Sequence, residues 1–214
     1  MMITGVMQDY LKAIYKLGQG RDVVSTSEVA ERLDVSAASA TNMVKRLARL
    51  RLVAYSRYQG FALTPAGQKI ALEIIRHHRL IELYLAQHLG VPLEHVHDEA
   101  ERMEHVLSEE VEARMATALG NPVRDPHGDP IPSSDGTIRD VRYPKLETLA
   151  PGSQGVVVHV SDQRPALLRR LARLGVLPGA VLKMLARRRD GCEVEIEGRR
   201  LTLSHSLSES VRVQ

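Results

Sequence analysis

Met7, Tyr10, Leu11, Ile14 and Leu17 recur at three- and four-residue steps, the spacing of one helical face, and Gly18 and Gly20 close the run. Asp9 falls near the start of that helix. Ser25-Thr26-Ser27-Glu28 then precedes Val29, Ala30 and Leu33, which predicts a short helix capped by Thr26 or Ser27. After an Asp34-Val35-Ser36 turn, Ser36 can cap a third helix whose apolar positions are Ala40, Val44 and Leu47, with Lys45, Arg46 and Arg49 on other faces. This is a helix-turn-helix plan. Leu52-Val53-Ala54-Tyr55 and Gly60-Phe61-Ala62-Leu63 read as two strands joined by Ser56-Arg57-Tyr58-Gln59, a hairpin wing beside the third helix.

Thr64 as cap and Pro65 at the first helical position begin a further helix that runs to about Leu89, where Gly90 and Pro92 stop it. A second long helix is expected from Leu93 to Leu119, ended by Gly120-Asn121-Pro122. From Asn121 to Gly136, Pro, Gly, Asp and Ser accumulate, the composition of a loop or linker and not of a core. From about Leu146 the period shortens. Stretches 155–158, 181–184, 193–196 and 200–203 are short strands, with one helical turn around Leu167–Leu174, a pattern that fits a small β-barrel. The expected fold is therefore mainly α with small β parts. It comprises a winged helix-turn-helix over 1–70, a helical segment with a Pro-rich linker over 71–140, and a β-barrel over 146–214.

Charge divides along the same lines. The net charge of +3 conceals balances of +5 over 1–70, −6 over 71–120 and +4 over 121–214. Anionic partners such as DNA are expected at the ends and cations in the middle. An aromatic share of 3% with no Trp suits a Leu/Val/Ala-built helical core. The one cysteine, Cys192, excludes a disulfide framework and a thiolate zinc cluster. The start of the chain lacks a basic-then-apolar leader, and no apolar run is long enough to span a bilayer, so a cytoplasmic protein without membrane attachment is expected.

The acidic middle carries the chemistry. His78 and Glu82 are four apart and project from one helical face. On the next helix His97, Glu101, Glu104 and His105 follow at steps of four, three and one, where a packing stripe would be apolar. Two such stripes offer imidazole nitrogen and carboxylate oxygen without sulfur, a donor set suited to manganese(II) or iron(II), although intrinsic affinity alone would still favour zinc. The alternative is a solvated acidic face with surface histidines. His77, His88, His95, His127, His159 and His205 do not join the pattern and are expected to be exposed or locally bonded. In the third helix, Ser36, Ala38, Ser39, Thr41 and Asn42 form a small polar N-terminal face for a major groove, and Asn42 can read an adenine edge. Arg46, Arg49, Arg57 and Lys45 are the candidates for phosphate contact.

On these residues the chain resembles the diphtheria-toxin-repressor family of metalloregulators, and the likeness extends over nearly its whole length. It is carried by residues 9–15 (Asp-Tyr-Leu-Lys-Ala-Ile-Tyr), 35–44, His78-Arg79-Leu80-Ile81-Glu82 and, most specifically, the run from His97 to Ser108. Residues 170–179 are similar to the SH3-like (FeoA-like) domain of some members.

The resemblance implies a homodimeric repressor of metal-uptake genes that binds a palindromic operator in double-stranded DNA. It also implies two metal sites, a regulatory one at Asp9, Glu101, Glu104 and His105 and an ancillary one at His78, Glu82 and His97, for which Asp162 or Gln163 is the candidate further ligand. Iron-type members carry Met and Cys at the positions of Asp9 and Glu101, so the hard carboxylates here point to the manganese-responsive branch. Manganese-type members with a binuclear centre carry Glu at the position of Lys12, and a protonated Lys cannot ligate. The competing class is a metal-dependent hydrolase. No nucleophile, phosphate loop or further acid/base motif supports it, and a non-enzymatic regulator is expected.

Overall fold

The computed structural model describes residues 3–56, 60–138, 141–161 and 165–214, so Arg57, Asp162 and Gln163 lie outside the described residues. The chain divides into two compact units. One comprises Met1–His77, Glu104–Leu107 and Pro132–Thr137; the other comprises His78–Met103, Ser108–Ile131 and Ile138–Gln214.

In the first unit, helix α1 (Gly5–Leu17) begins at Thr4, whose side chain accepts the Met7 N–H, and ends at Gly18. Helix α2 (Thr26–Arg32) is capped by Ser25, one residue earlier than expected. Of the three neighbouring hydroxyls, Ser25 is the one with a glutamate three residues on. Glu28 accepts the Ser25 N–H at 2.8 Å while the Ser25 hydroxyl accepts the Glu28 N–H, a reciprocal capping box. Helix α3 (Ala37–Arg49) starts at Ser36 and buries Ala40, Val44 and Leu47. Strands β1 (Val53–Ser56) and β2 (Gly60–Leu63) pair antiparallel with Tyr55 opposite Phe61, and Val24 bridges to Phe61. Met7, Leu11 and Ile14 of α1, Val29 of α2, the buried face of α3 and Phe61 share one core. Complete burial of such side chains stabilises by roughly 1.5–3 kcal/mol each.

Helix α4 spans Pro65–His88. The single helix expected from Leu93 to Leu119 is instead two, α5 (Leu93–Met103) and α6 (Glu109–Ala118). The break has a local cause. The Ser108 side chain accepts the Val111 N–H, and Glu109, Glu110 and Glu112 place negative charge at the positive end of α6, so a helix start is written into the middle of the periodic run. Glu104 and His105 consequently sit on a turn and not on a helical stripe.

In the second unit, Leu80 and Leu83 of α4 pack with Ala116 and Ile131. The 121–136 segment, expected to be a linker, is thus partly core, with Asp125, His127 and Ile131 buried. Its backbone is organised by one carboxylate, since Asp125 Oδ1 accepts the N–H groups of His127 (2.9 Å) and Asp129 (2.8 Å). Between them Gly128 has φ +94°, and a Cβ there would meet the Val158 carbonyl oxygen at 2.0 Å.

The C-terminal part holds five antiparallel strands in the order β6-β5-β4-β3-β7. These are β3 (Gln154–Val160), β4 (Val181–Arg188), β5 (Gly191–Ile196), β6 (Arg199–Ser204) and β7 (Val211–Val213). Helix α7 (Pro165–Leu174) precedes β4, and a short α8 (His205–Glu209) leads into β7. Inward residues such as Val157, Leu182, Met184, Val194 and Leu203 form its core with Leu168 and Leu171 of α7. The mainly helical class with a small β-domain is as expected; α8 and β7 were not, being too short to produce a period.

Candidate metal centre

Helix α1 carries Gln8, Asp9 and Lys12 at helical spacing, and the turn Glu104–Leu107 belongs to the same unit. His105 Nε2 lies 2.9 Å from Asp9 Oδ1 and 3.5 Å from Glu104 Oε1. One atom each from Asp9, Glu104 and His105 falls within 4.8 Å of the others, close enough to converge on a single ion. The ring is aimed by its other nitrogen, which meets Gln8 Oε1 at 2.8 Å. With Nδ1–H donating there, the Nε2 lone pair faces the two carboxylates. Gly5 permits this approach, since a Cβ on it would stand 3.1 Å from the His105 ring. Glu104 is fully buried, its backbone carbonyl meets His77 Nδ1 at 3.1 Å, and its Oε1 pairs with Lys12 Nζ at 2.5 Å.

A second cluster lies in the other unit. His78 Nε2, His97 Nδ1 and Glu82 Oε1 form a triangle with sides of 2.9, 3.0 and 3.1 Å. Adjacent ligands around an octahedral ion with bonds of about 2.1 Å stand about 3 Å apart, so this donor set fits a hard divalent cation. Glu101 Oε1 is 3.8 Å from both His78 Nδ1 and His97 Nε2. One atom each from Glu101, His78 and His97 falls within 4.8 Å of the others, with Glu101 facing the ring nitrogens opposite those of the triangle.

Two residues missed by the sequence reading border this cluster. His127, expected to be exposed or locally bonded, is wholly buried, with Nδ1 3.7 Å from Glu82 Oε2, and Asp125 is buried beside it. The available signal was the alternation Asp125-Pro-His127-Gly-Asp129 inside a Pro-rich stretch. His77, also set aside, is buried too. Burial works to raise the Glu82 pKa, but polar contacts from His127, His78 and His97 outweigh it and hold the carboxyl well below its ordinary range. Asp125 shifts the other way, pushed well up by burial and then by the charges of Asp129 and Glu82, against the pull of His127 and Arg79.

On α3, Ser36, Ala38, Ser39, Asn42, Lys45, Arg46 and Arg49 are exposed and Thr41 is half-buried. Two of the hydroxyls have local work as well. Ser36 caps the helix through the Ser39 N–H at 3.1 Å, and Thr41 donates to the Ala37 carbonyl at 2.7 Å.

Comparison with known proteins accounts for this combination. Residues 2–61 match the family model for the N-terminal DNA-binding domain of iron-dependent repressors, and residues 64–133 match that for their metal-binding and dimerisation domain. The chain belongs to the iron-dependent repressor family. Residues 145–214 of this repressor match the FeoA domain. It is 33% identical to the iron-dependent repressor IdeR of Mycobacterium leprae over 96% of its own length and 95% of the relative's. To the diphtheria toxin repressor of Corynebacterium diphtheriae it is 32% identical, over 92% and 87% of the two chains. Its fold is similar to a solved manganese-dependent transcriptional repressor in complex with manganese, with a TM-score of 0.88, 38% identity and coverage of 97% of this chain and 98% of that one. The family is one of transcriptional repressors and not of enzymes, which removes the hydrolase alternative. No helix among the described residues is long and apolar enough to cross a membrane.

Proposed function

We propose that this repressor binds a palindromic operator as a homodimer in the cytoplasm, is activated by manganese(II), and represses metal-uptake genes. The observation that carries the reading is the convergence of Asp9, Glu104 and His105, two carboxylates and an imidazole without sulfur, on one point of the unit that contains the recognition helix. A bound ion would supply two positive charges there. Asp9 draws α1 towards the 104–107 turn, Gln8 fixes the His105 ring and Lys12 holds Glu104 in place. Because α1 shares its core with α3, fixing α1 restricts the setting of the recognition helix. A dimer has to present two such helices about 34 Å apart along the duplex, so that restriction converts metal concentration into operator affinity. His78, Glu82 and His97, with Glu101 beside them, are the ligands of an ancillary site.

Iron(II) is the second reading, favoured by the names of the sequence relatives at 33% identity. The test is binding of metal-stripped protein to a fluorescent pool of genomic operator fragments during titration with manganese(II), iron(II) and zinc(II) at fixed salt. Sequence-specific binding that appears only with metal, and at the lowest concentration with manganese, is expected. Binding indifferent to metal would overturn the proposal, and a stronger response to iron would transfer it to the second reading.

A further inference from the structure

A cavity of about 320 Å³ lies within the second compact unit, between the 124–130 turn, residues 141–143 and strands β3 and β7. Arg124, Arg142 and Arg212 line it together with His159 and Tyr143, and Asp129 is the one carboxylate among its described lining residues. That carboxylate is already engaged by the Arg79 guanidinium of α4, 3.4 Å away, so the three arginines leave the cavity with an excess of positive charge. A cleft lined by charge of one sign concentrates ions of the other. We propose that this cavity binds a small oxyanion of two or more negative charges, a phosphate monoester or a di- or tricarboxylate, which ties the 124–130 turn to the C-terminal strands.

The walls are held in place by contacts of their own. Arg124 and Pro130 pair across the turn, the Arg124 guanidinium donates to the Gly128 carbonyl, and it lies over the Tyr143 ring at 5.0 Å. Gly128 lets the turn lie against β3, since a Cβ there would stand 2.8 Å from the His159 Cα. On the far wall the Val213 N–H donates to the Pro144 carbonyl at 3.1 Å and Lys145 pairs with Arg212, which sets residues 141–145 beside β7. The Arg212 side chain donates to the Glu209 carbonyl at 2.7 Å and is half-buried, as is Arg124. These guanidiniums are thus pre-positioned, and their planar forks match carboxylate and phosphate oxygens in pairs. His159 adds a further polar atom, because its Nδ1 is buried without a hydrogen-bond partner and a ligand oxygen would supply one. Small-molecule pockets run from roughly 300 to 1,000 Å³, so this one suits a compact anion and excludes a nucleic-acid strand.

The test is calorimetric titration of the metal-stripped, full-length protein with glycerol 3-phosphate and, separately, with citrate, at constant ionic strength set by sodium chloride. Saturable binding of about one anion per chain is expected. A preference for the first probe assigns the site to phosphate esters and a preference for the second to carboxylates. Arg142→Ala, at the exposed rim, and Arg124→Ala are each expected to weaken the binding about tenfold or more, while Arg188→Ala, outside the cavity, leaves it unchanged. Absence of saturable binding by both probes would overturn the proposal. So would binding that Arg124→Ala and Arg142→Ala leave intact, since the anion would then sit elsewhere. Crystals of the wild-type protein soaked in tungstate, a dianion with strong anomalous scattering, provide a check that needs no variant. A peak between Arg124, Arg142 and Arg212 is expected, and a map without one there would overturn the assignment.

Discussion

Lys12 on α1 and Glu104 on the turn after α5 form a buried ion pair, Nζ to Oε1 2.5 Å, in the midst of the Asp9–Glu104–His105 group. The ammonium supplies the positive charge that a buried carboxylate needs and holds Glu104 in place. It also competes with a metal ion, because both draw on the same carboxylate.

Lys12→Met separates the two effects. Leaving one member of a buried pair unpartnered typically costs about 3–5 kcal/mol, so the metal-stripped variant should melt well below the wild type. Its manganese affinity should rise, since the competing charge is gone. Thermal melts and manganese titrations would check both. A variant that loses stability without gaining affinity would show Lys12 to be structural only.

Asp9 is the cleaner probe of activation. It is half-exposed, so Asp9→Ala should fold, whereas Glu104→Ala would also strand Lys12. Couplings between a metal and an operator are typically about 1–3 kcal/mol, and Asp9→Ala should therefore reduce metal-stimulated DNA affinity by roughly 5–150-fold while the dimer and the metal-free affinity persist. Fluorescence anisotropy against an operator duplex, with and without manganese, would measure it. Undiminished stimulation would remove Asp9 from the site.

Cys192 yields a pH dependence with a definite sign. Burial, and then the charge of Glu147, push its thiol up to about 11 from 9.0. The folded protein therefore favours the protonated thiol, and the stabilisation is complete below pH 9 and lost as pH rises from there towards 11. Denaturation midpoints should fall across that interval, and Cys192→Ala should flatten the fall attributable to the thiol. At neutral pH the native thiol should resist thiol reagents and react only on unfolding.

The sequence made the helices and the metal chemistry legible to different degrees. Strong three- and four-residue periods located α1 and α3, start and stop signals located α4, and the His78–Glu82 spacing placed two ligand candidates on one helical face. The break at Ser108 escaped because the apolar period continues through it, while the capping serine and three glutamates that cause it resemble ordinary surface residues. His127 escaped for a related reason. A Pro- and Gly-rich stretch reads as exposed, and its burial arises from contacts with α4 and β3, far away along the chain, which no local pattern reports. Gln8 and Gly5 serve His105 across nearly a hundred residues, again beyond the range of spacing arguments.

The exposed face of α3 separates into residues that position and residues that read. Arg49 lies near the helix end, where a guanidinium meets phosphates, while Asn42 lies nearer the end that enters a major groove. Arg49→Ala should weaken binding about equally for all duplexes and lower the slope of log affinity against log salt by about one. Asn42→Ala should leave that slope unchanged and cost roughly 1–3 kcal/mol on the operator alone, narrowing the gap to random DNA. Salt-dependent titrations of both variants on operator and scrambled duplexes would distinguish these behaviours. An Asn42 variant that lost affinity equally on both duplexes would reassign this residue to the backbone, and the reading of sequence to other positions on α3.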